Sequence, residues 1–378
     1  MSDRDAEPAR PPRLTALARS LPASVPFVGP EAQERALGRA FRARLGANEN
    51  VFGPSPRAQE ATRAAAAEAW MYGDPEAHEL RAAIAAHHGA RPENVMVGAG
   101  IDGILGDLCR LIVAPGTPVV SSDGAYPTFA YHVAGFGGRL VAVPYAADDR
   151  EDPEALARAA RECGAPLVYL ANPDNPMGSW NGAEAVRAML DALPPDCLLC
   201  LDEAYAEFAP EGVAPELPAD DPRVIRMRTF SKAHGLAGLR VGYALGAPEL
   251  ISAFDKVRNH FGVGRLAQAA ALAALGDRAW LDHVRAEVAR ARARIARIAQ
   301  EAGLRALPSA TNFVAVDCGR DGAFARRVVQ ALAARGVFVR MPFRAPQDRC
   351  IRISAGRPED LDLLAEVLPA ALTEARAG

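Results

Sequence analysis

The chain has 378 residues, half of them hydrophobic, with a formal net charge of -3 and an isoelectric point near 6.2. That length suits a two-domain enzyme better than one simple core. The charge balance excludes a nucleic-acid footprint, which needs a basic patch or stripe, and no uncharged apolar run of roughly 18 residues is present to span a membrane.

Residues 1–13 are polar, charged and rich in proline, without the apolar centre of a signal peptide, so a disordered tail and a cytoplasmic location are expected. An arm over 14–50 ends in Ala47-Asn-Glu-Asn50. Gly53-Pro-Ser-Pro56 is a turn, followed by an alanine-rich helix over 57–70 and a second helix from Glu76 to His88. Strands and helices then alternate. Strands are expected at Val95–Val97, Val119–Val120, Val141–Val143, Leu167–Leu170, Leu198–Leu201, Val224–Met227 and Arg240–Leu245, with helices at Ile104–Val113, Leu156–Glu162 and Ala183–Leu193. This alternation predicts an α/β fold with a mostly parallel central sheet sandwiched by helices. A long arginine-alanine helix over 278–302, strands at Asn312–Val316, Val337–Val339 and Cys350–Ile353, a helix over 322–335 and a final helix predict a smaller α+β domain. The expected division is an arm over 1–50, a large domain over 51–262 and a small domain over 263–378.

Cys197 and Cys200 form a CxxC, but they sit in the apolar run Cys197-Leu-Leu-Cys-Leu201, where cysteine serves as a small hydrophobe. No second CxxC or histidine pair completes a zinc site, so no metal is expected.

Three strand ends carry polar residues, and ligands of open α/β sheets gather at such ends. Leu198-Leu-Cys-Leu-Asp202-Glu-Ala-Tyr205 ends an apolar strand in an acid, with a tyrosine three residues on. Taken alone, that acid could be a metal ligand or a helix cap. Leu167-Val-Tyr-Leu-Ala-Asn172-Pro-Asp-Asn175-Pro-Met-Gly178 holds two Asn-Pro pairs, as a structural turn also would. Thr229-Phe-Ser231-Lys232-Ala-His-Gly-Leu-Ala-Gly-Leu-Arg240 sets two hydroxyls beside a lysine and follows it with small residues and an arginine. The small and apolar neighbours predict partial burial of Lys232. Burial would lower its amine pKa and favour Schiff-base chemistry.

In this order the segments resemble the fold-type I pyridoxal-phosphate (PLP) aminotransferases of class I and II, from about residue 40 to the C-terminus. In detail the chain is similar to the histidinol-phosphate aminotransferase branch, through Arg44-Leu-Gly-Ala-Asn-Glu-Asn-Val-Phe-Gly-Pro-Ser-Pro56 and Ile351-Arg352-Ile-Ser-Ala-Gly356. The resemblance implies that Lys232 carries PLP as an imine and acts as base on the substrate's Cα–H. It implies that Asp202 pairs with the pyridinium nitrogen, Asn175 and Tyr205 with the phenolic oxygen, and that Tyr126 stacks on the ring. For the phosphate it implies Thr229, Ser231, Arg240 and the amides of Gly100 and Ile101, where Gly98-Ala-Gly-Ile-Asp-Gly103 opens a helix. Tyr72 is implied to reach the phosphate of a neighbouring subunit in a homodimer with shared active sites. Arg352 would clamp a substrate carboxylate with bidentate geometry. Arg340 is a candidate for a second acidic group, or a solvated surface charge. The implied reaction is ping-pong transfer from an amino donor, best read as histidinol phosphate, to a 2-oxo acid acceptor such as 2-oxoglutarate. Met177, Trp70-Met71, Gly73 and Asn259–Gly264 depart from the branch's usual pattern and are expected to line or border the substrate pocket.

Three rivals stand beside this reading. A PLP decarboxylase or lyase uses the same cradle, threonine-phosphate decarboxylase being a near relative of the branch. Gly98–Gly103 also fits G-x-G-x-x-G, with Asp123 20 residues on, as an NAD-dependent dehydrogenase would have; that reading leaves Asp202, Asn175, Lys232 and Arg240 without roles. A ligand-sensing domain of a transcription regulator would need a fused DNA-binding unit, and the first 50 or so residues show no such pattern.

Overall fold

The computed structural model describes residues 12–23 and 28–377. The tail expected over 1–13 lies outside the described residues except for Pro12 and Arg13, which have no regular structure. The arm holds helices α1 (Ala16–Ser20) and α2 (Pro30–Leu37) and strand β1 (Ala43–Arg44). Next come α3 (Pro56–Ala66), α4 (His78–His88), β2 (Val95–Gly98), α5 (Gly100–Ile112), β3 (Pro118–Ser122), α6 (Pro127–Gly135) and β4 (Arg139–Val143). The chain continues through α7 (Pro153–Cys163), β5 (Leu167–Ala171), α8 (Ala183–Ala192), β6 (Leu198–Asp202), β7 (Val224–Thr229) and β8 (Gly242–Leu245). After α9 (Pro248–Ala253), α10 (Arg265–Leu275) and the long α11 (Arg278–Glu301) come β9 (Arg305–Ala306), β10 (Phe313–Asp317), α12 (Gly322–Ala334), β11 (Val337–Phe338), β12 (Cys350–Ser354) and α13 (Pro358–Ala377).

The central sheet has seven strands in the order β2-β8-β7-β6-β5-β3-β4. Only β8 runs antiparallel to its neighbours, β2 and β7. The central strands β5 and β6 read as apolar runs because both of their faces are covered. Side chains alternate between faces. Leu167 and Tyr169 pack with α5 and α6 on one side, while Val168 and Leu170 pack with α7 and α8 on the other. A second core joins β10 and β12 to α11, α12 and α13 and takes in Leu45 of the arm. Cys197 and Cys200 are buried free thiols within the sheet core, as the apolar run predicts.

Several boundaries differ for local reasons. Helix α4 begins two residues late, because the Asp74 carboxylate accepts from Glu76 N (3.0 Å) and His78 N (2.8 Å) and ends the preceding turn. Helix α5 begins four residues early, since the glycine-rich loop is itself the first helical turn. Arg240 does not open β8. It adopts a left-handed conformation (φ 54°) two residues before the strand, and that turn carries its side chain back toward Ser231. Helix α10 packs its alanines Ala267, Ala270, Ala271 and Ala274 into one core with α4, β2 and β8.

Candidate active site

Parallel strands β5, β6 and β7 end side by side, with Ala171 opposite Asp202 and Asp202 opposite Met227. The polar residues that follow these ends therefore meet at one edge of the sheet, near the β3/β5 switch in strand order, where open sheets form crevices. A cavity of 730 Å³ opens there. Its walls include Ile101, Tyr126, Asn175, Asp202, Tyr205, Thr229, Ser231, Lys232, Arg240, Arg340 and Arg352. Gly100 adjoins Ile101 at the first turn of α5.

Lys232 is half-buried on this wall, and its Nζ donates to the carbonyl of Asn48 at 3.1 Å and lies 5.6 Å from the Tyr205 ring centre. Burial, reinforced by the guanidinium of Arg352, pushes its amine down to about 8. The sequence uses lysine only twice, at Lys232 and at the exposed Lys256, among 43 basic residues. That frugality is a signal in the sequence itself: a chain that meets its need for positive charge with arginine keeps a lysine here.

Asp202 is buried. Tyr169 Oη donates to its Oδ2 at 2.7 Å and Ala204 N to its Oδ1 at 3.0 Å. Burial raises the carboxyl to about 6 in spite of those two donors. Tyr205, also buried, accepts from Asn48 Nδ2 at 3.0 Å. Asn175 Oδ1 accepts from Arg352 Nη1 at 2.5 Å. The other Arg352 nitrogens are Nη2, which donates to Gly46 O (3.2 Å), and a buried Nε with no hydrogen-bond partner among the described residues. Burial drives the Arg352 guanidinium down to about 10. Arg340 pairs with Arg352 backbone to backbone and donates from Nη2 to Val28 O at 2.8 Å, so it belongs to the cavity wall and is no free surface charge.

At the cavity's far corner, Thr229 Oγ1 accepts from Ser231 N (3.0 Å) and Arg240 Nη1 donates to Ser231 Oγ (3.3 Å) and Ala237 O (3.1 Å). Gly100 (φ 73°) sits so close that a Cβ there would lie 2.6 Å from Arg240 Nη2. A guanidinium, two hydroxyls and the opening turn of a helix of 13 residues thus converge. Such a corner suits an anion.

Residues 43–368 match the profile of the family described as aminotransferase class I and II. The chain belongs to the class I and II aminotransferases. The crystal structure of histidinol-phosphate aminotransferase from Sinorhizobium meliloti in complex with pyridoxal-5'-phosphate is 55% identical, with a TM-score of 0.92, over 96% of this chain and 98% of that one. Histidinol-phosphate aminotransferase from Roseiflexus castenholzii is 39% identical over 86% of this chain and 88% of its own length. The enzyme of that name from an Anaeromyxobacter species is 39% identical over 92% and 95%. An NAD-dependent dehydrogenase is thereby set aside, and the chain is an aminotransferase-family enzyme of the expected α/β fold.

In this aminotransferase, Tyr72 and Met177 stand apart from the other expected site residues. Tyr72 is outside the cavity, 77% exposed, with its ring 4.7 Å from that of Phe261. Trp70 is also exposed, and Met71, Tyr72, Gly73, Phe261 and Gly264 line a surface hollow together with Gly238 and Leu239, which lie in the chain between the cavity residues Ala237 and Arg240. Met177 points into a small buried cluster with Leu307, Ala315 and Cys350, because the residues after Asn175 turn back toward β10. Sequence reasoning gave no role to Asn48, which meets Lys232 with its carbonyl and Tyr205 with its amide. Its signal was available as a short polar residue able to take the left-handed conformation it has here (φ 55°). Tyr169 carried no such signal, being one aromatic among the apolar residues of β5.

Proposed function

We propose that the cavity holds PLP on Lys232 and that the chain transfers an amino group between histidinol phosphate and a 2-oxo acid such as 2-oxoglutarate. The observation that carries this reading is Lys232: a half-buried amine pushed down to about 8, sharing a cavity with the buried carboxyl of Asp202. The names of the relatives, over nearly their full lengths, support it.

The residues fit the cofactor. Arg240 spends its side-chain hydrogen bonds on a hydroxyl and a carbonyl and not on a carboxylate, which suits a cation awaiting phosphate. Asp202 has both oxygens oriented yet is raised by burial, as befits a carboxyl awaiting a cation. Thr229, Ser231, Arg240 and the amides of Gly100 and Ile101 would hold the phosphate. Asp202 would hold the ring nitrogen, Asn175 and Tyr205 the phenolic oxygen, and Tyr126 the ring face. PLP supplies an electron sink for the pair left when a proton leaves the amine-bearing carbon.

The protein's own part is proton transfer and orientation. An amine near 8 gives up its proton far more readily than an ordinary lysine, so Lys232 Nζ can take the Cα proton and return it. Tyr169 and Ala204 fix the carboxylate of Asp202 so that its charge needs no reorientation. Arg352 would bind the α-carboxylate of the acidic partner, and Arg340 the other substrate's acidic group. The exposed Trp70, Tyr72 and Phe261 suit burial against a second copy, in a homodimer in which Tyr72 serves the neighbouring phosphate. A cytoplasmic location, and a division into a large sheet unit and a small unit with α10 counted in the large one, belong to the same reading.

The test is a half-reaction screen. Histidinol phosphate should convert the PLP form spectroscopically to the pyridoxamine form, and 2-oxoglutarate should reverse it. Release of carbon dioxide or ammonia with no pyridoxamine form, for every active amine, would show a decarboxylase or lyase instead.

A further inference from the structure

Asn48 stands in the arm between β1 and α3 and has no role in the function proposed above. It is 2% exposed and left-handed (φ 55°), a conformation that asparagine tolerates better than most residues. Its backbone is pinned from two sides: the carbonyl accepts from Asn312 Nδ2 and from Lys232 Nζ, both at 3.1 Å. Its side chain lies between Tyr205, which follows β6, and Ser354, the last residue of β12. Asn48 N donates to Ser354 Oγ at 3.0 Å, Ser354 Oγ donates to Asn48 Oδ1 at 3.0 Å, and Asn48 Nδ2 donates to Tyr205 Oη at 3.0 Å.

These three bonds run in one direction. Ser354 is buried, and its hydroxyl carries a single hydrogen. Asn48 N already donates to that oxygen, so the hydroxyl's own hydrogen goes to Asn48 Oδ1. With the amide turned round, the hydroxyl would accept twice, and its hydrogen would have no acceptor among the described residues. A buried donor left without a partner is costly. Ser354 thus fixes the Asn48 amide with its NH2 group toward Tyr205. An amide nitrogen does not accept. Tyr205 Oη therefore receives a hydrogen from Asn48 and keeps its own, and no other described residue hydrogen-bonds that oxygen. Lys232, Arg352, Asp202 and Tyr126 share the cavity wall with it.

We propose that Asn48, oriented by Ser354, is a positioning residue that dedicates the Tyr205 hydrogen to the phenolic oxygen of the cofactor. The inference rests on the reading of Tyr205 as a ligand of that oxygen. A tyrosine hydroxyl can donate or accept; one that already receives a hydrogen has its donor end committed. Donation to the phenolic oxygen favours its ionised form. The device spans the molecule: Ser354 belongs to the C-terminal part, Tyr205 to the sheet unit, and Asn48 of the arm joins them.

The experiment reads the pH midpoint of the visible absorption of the PLP-loaded protein. Tyr205→Phe removes the donor and should raise that midpoint by roughly a pH unit. An oxygen without its donor carries negative charge less readily, so the loaded site holds its proton to higher pH. Asn48→Asp puts an acceptor where the amide nitrogen was and draws the Tyr205 hydrogen away. It should raise the midpoint nearly as far in the parent chain, and by well under half as much in the Tyr205→Phe background. A midpoint unmoved by Asn48→Asp overturns the positioning role. So does an equal rise in both backgrounds, which is the bare effect of an added charge. Ser354→Ala should give a smaller rise that vanishes with Tyr205→Phe; no rise, or one that persists, overturns the part of Ser354. If Asn48→Asp does not load PLP, Asn48→Gly is measured the same way and should also raise the midpoint; no rise there overturns the role. A midpoint unmoved in Tyr205→Phe rejects Tyr205 as a ligand of the phenolic oxygen, and the positioning role falls with it.

Discussion

Asp202 ends β6 almost wholly out of water, with one oxygen fixed by Tyr169 and the other by Ala204. A carboxyl so placed is raised to about 6, and a cation against it would draw it back to the ionised form and hold it there. Removing the side chain leaves the phosphate corner intact and strips the charge opposite the ring nitrogen. Asp202→Ala is therefore expected to bind PLP and to lose turnover by roughly a thousandfold, the scale of one buried electrostatic partner. Equilibrium binding and steady-state rates check it, and near-normal turnover contradicts the role. Asp202 and Lys232 were legible in the sequence because a polar residue ending an apolar run stands out. Tyr169 was not: its hydroxyl matters only because β5 lies beside β6 in a register that brings it to Asp202, and no run of residues states which strand is its neighbour.

The turn from β2 into α5 shows what an element end contributes. Gly100 is left-handed and lies under the Arg240 guanidinium, so a side chain there fails on both counts. Gly100→Ala should lower stability by about 1–2 kcal/mol from the backbone alone. Displacing Arg240 should also weaken PLP binding, by more than tenfold, and a titration that finds affinity unchanged would contradict the phosphate corner. Helices and strands differed in legibility for reasons of packing. Strands β5 and β6 stood out because both faces are covered, which makes each a nearly continuous apolar run. Helix α6 was missed: it opens on a proline, mixes aromatic, histidine and glycine residues, and shows little apolar periodicity. Helix α10 was missed because its buried face is built of alanine, too small and too common to mark a core side. The two-residue strands β1 and β9 were missed because they exist only through their pairing partners.

At the scale of the molecule, two ion pairs tie the sheet unit to the C-terminal part. Arg349 bridges Asp149 and Asp317 at 2.6 and 3.0 Å, and Arg344 reaches Asp123 at 3.3 Å over the cavity mouth. The surface also carries Trp70, 82% exposed, with Tyr72 and Phe261, large apolar side chains whose exposure to water is costly. In the proposed homodimer with shared sites, mixing Lys232→Ala with an inactive Tyr72 variant should restore part of the activity. A protein that stays monomeric and active at assay concentration contradicts the shared site. The central claim, that Lys232 carries the cofactor, has a more direct test, made clean by the presence of only two lysines. Borohydride reduction of the PLP-loaded protein followed by peptide mapping should place the pyridoxyl group on Lys232; label on Lys256, or on no lysine, would contradict the account.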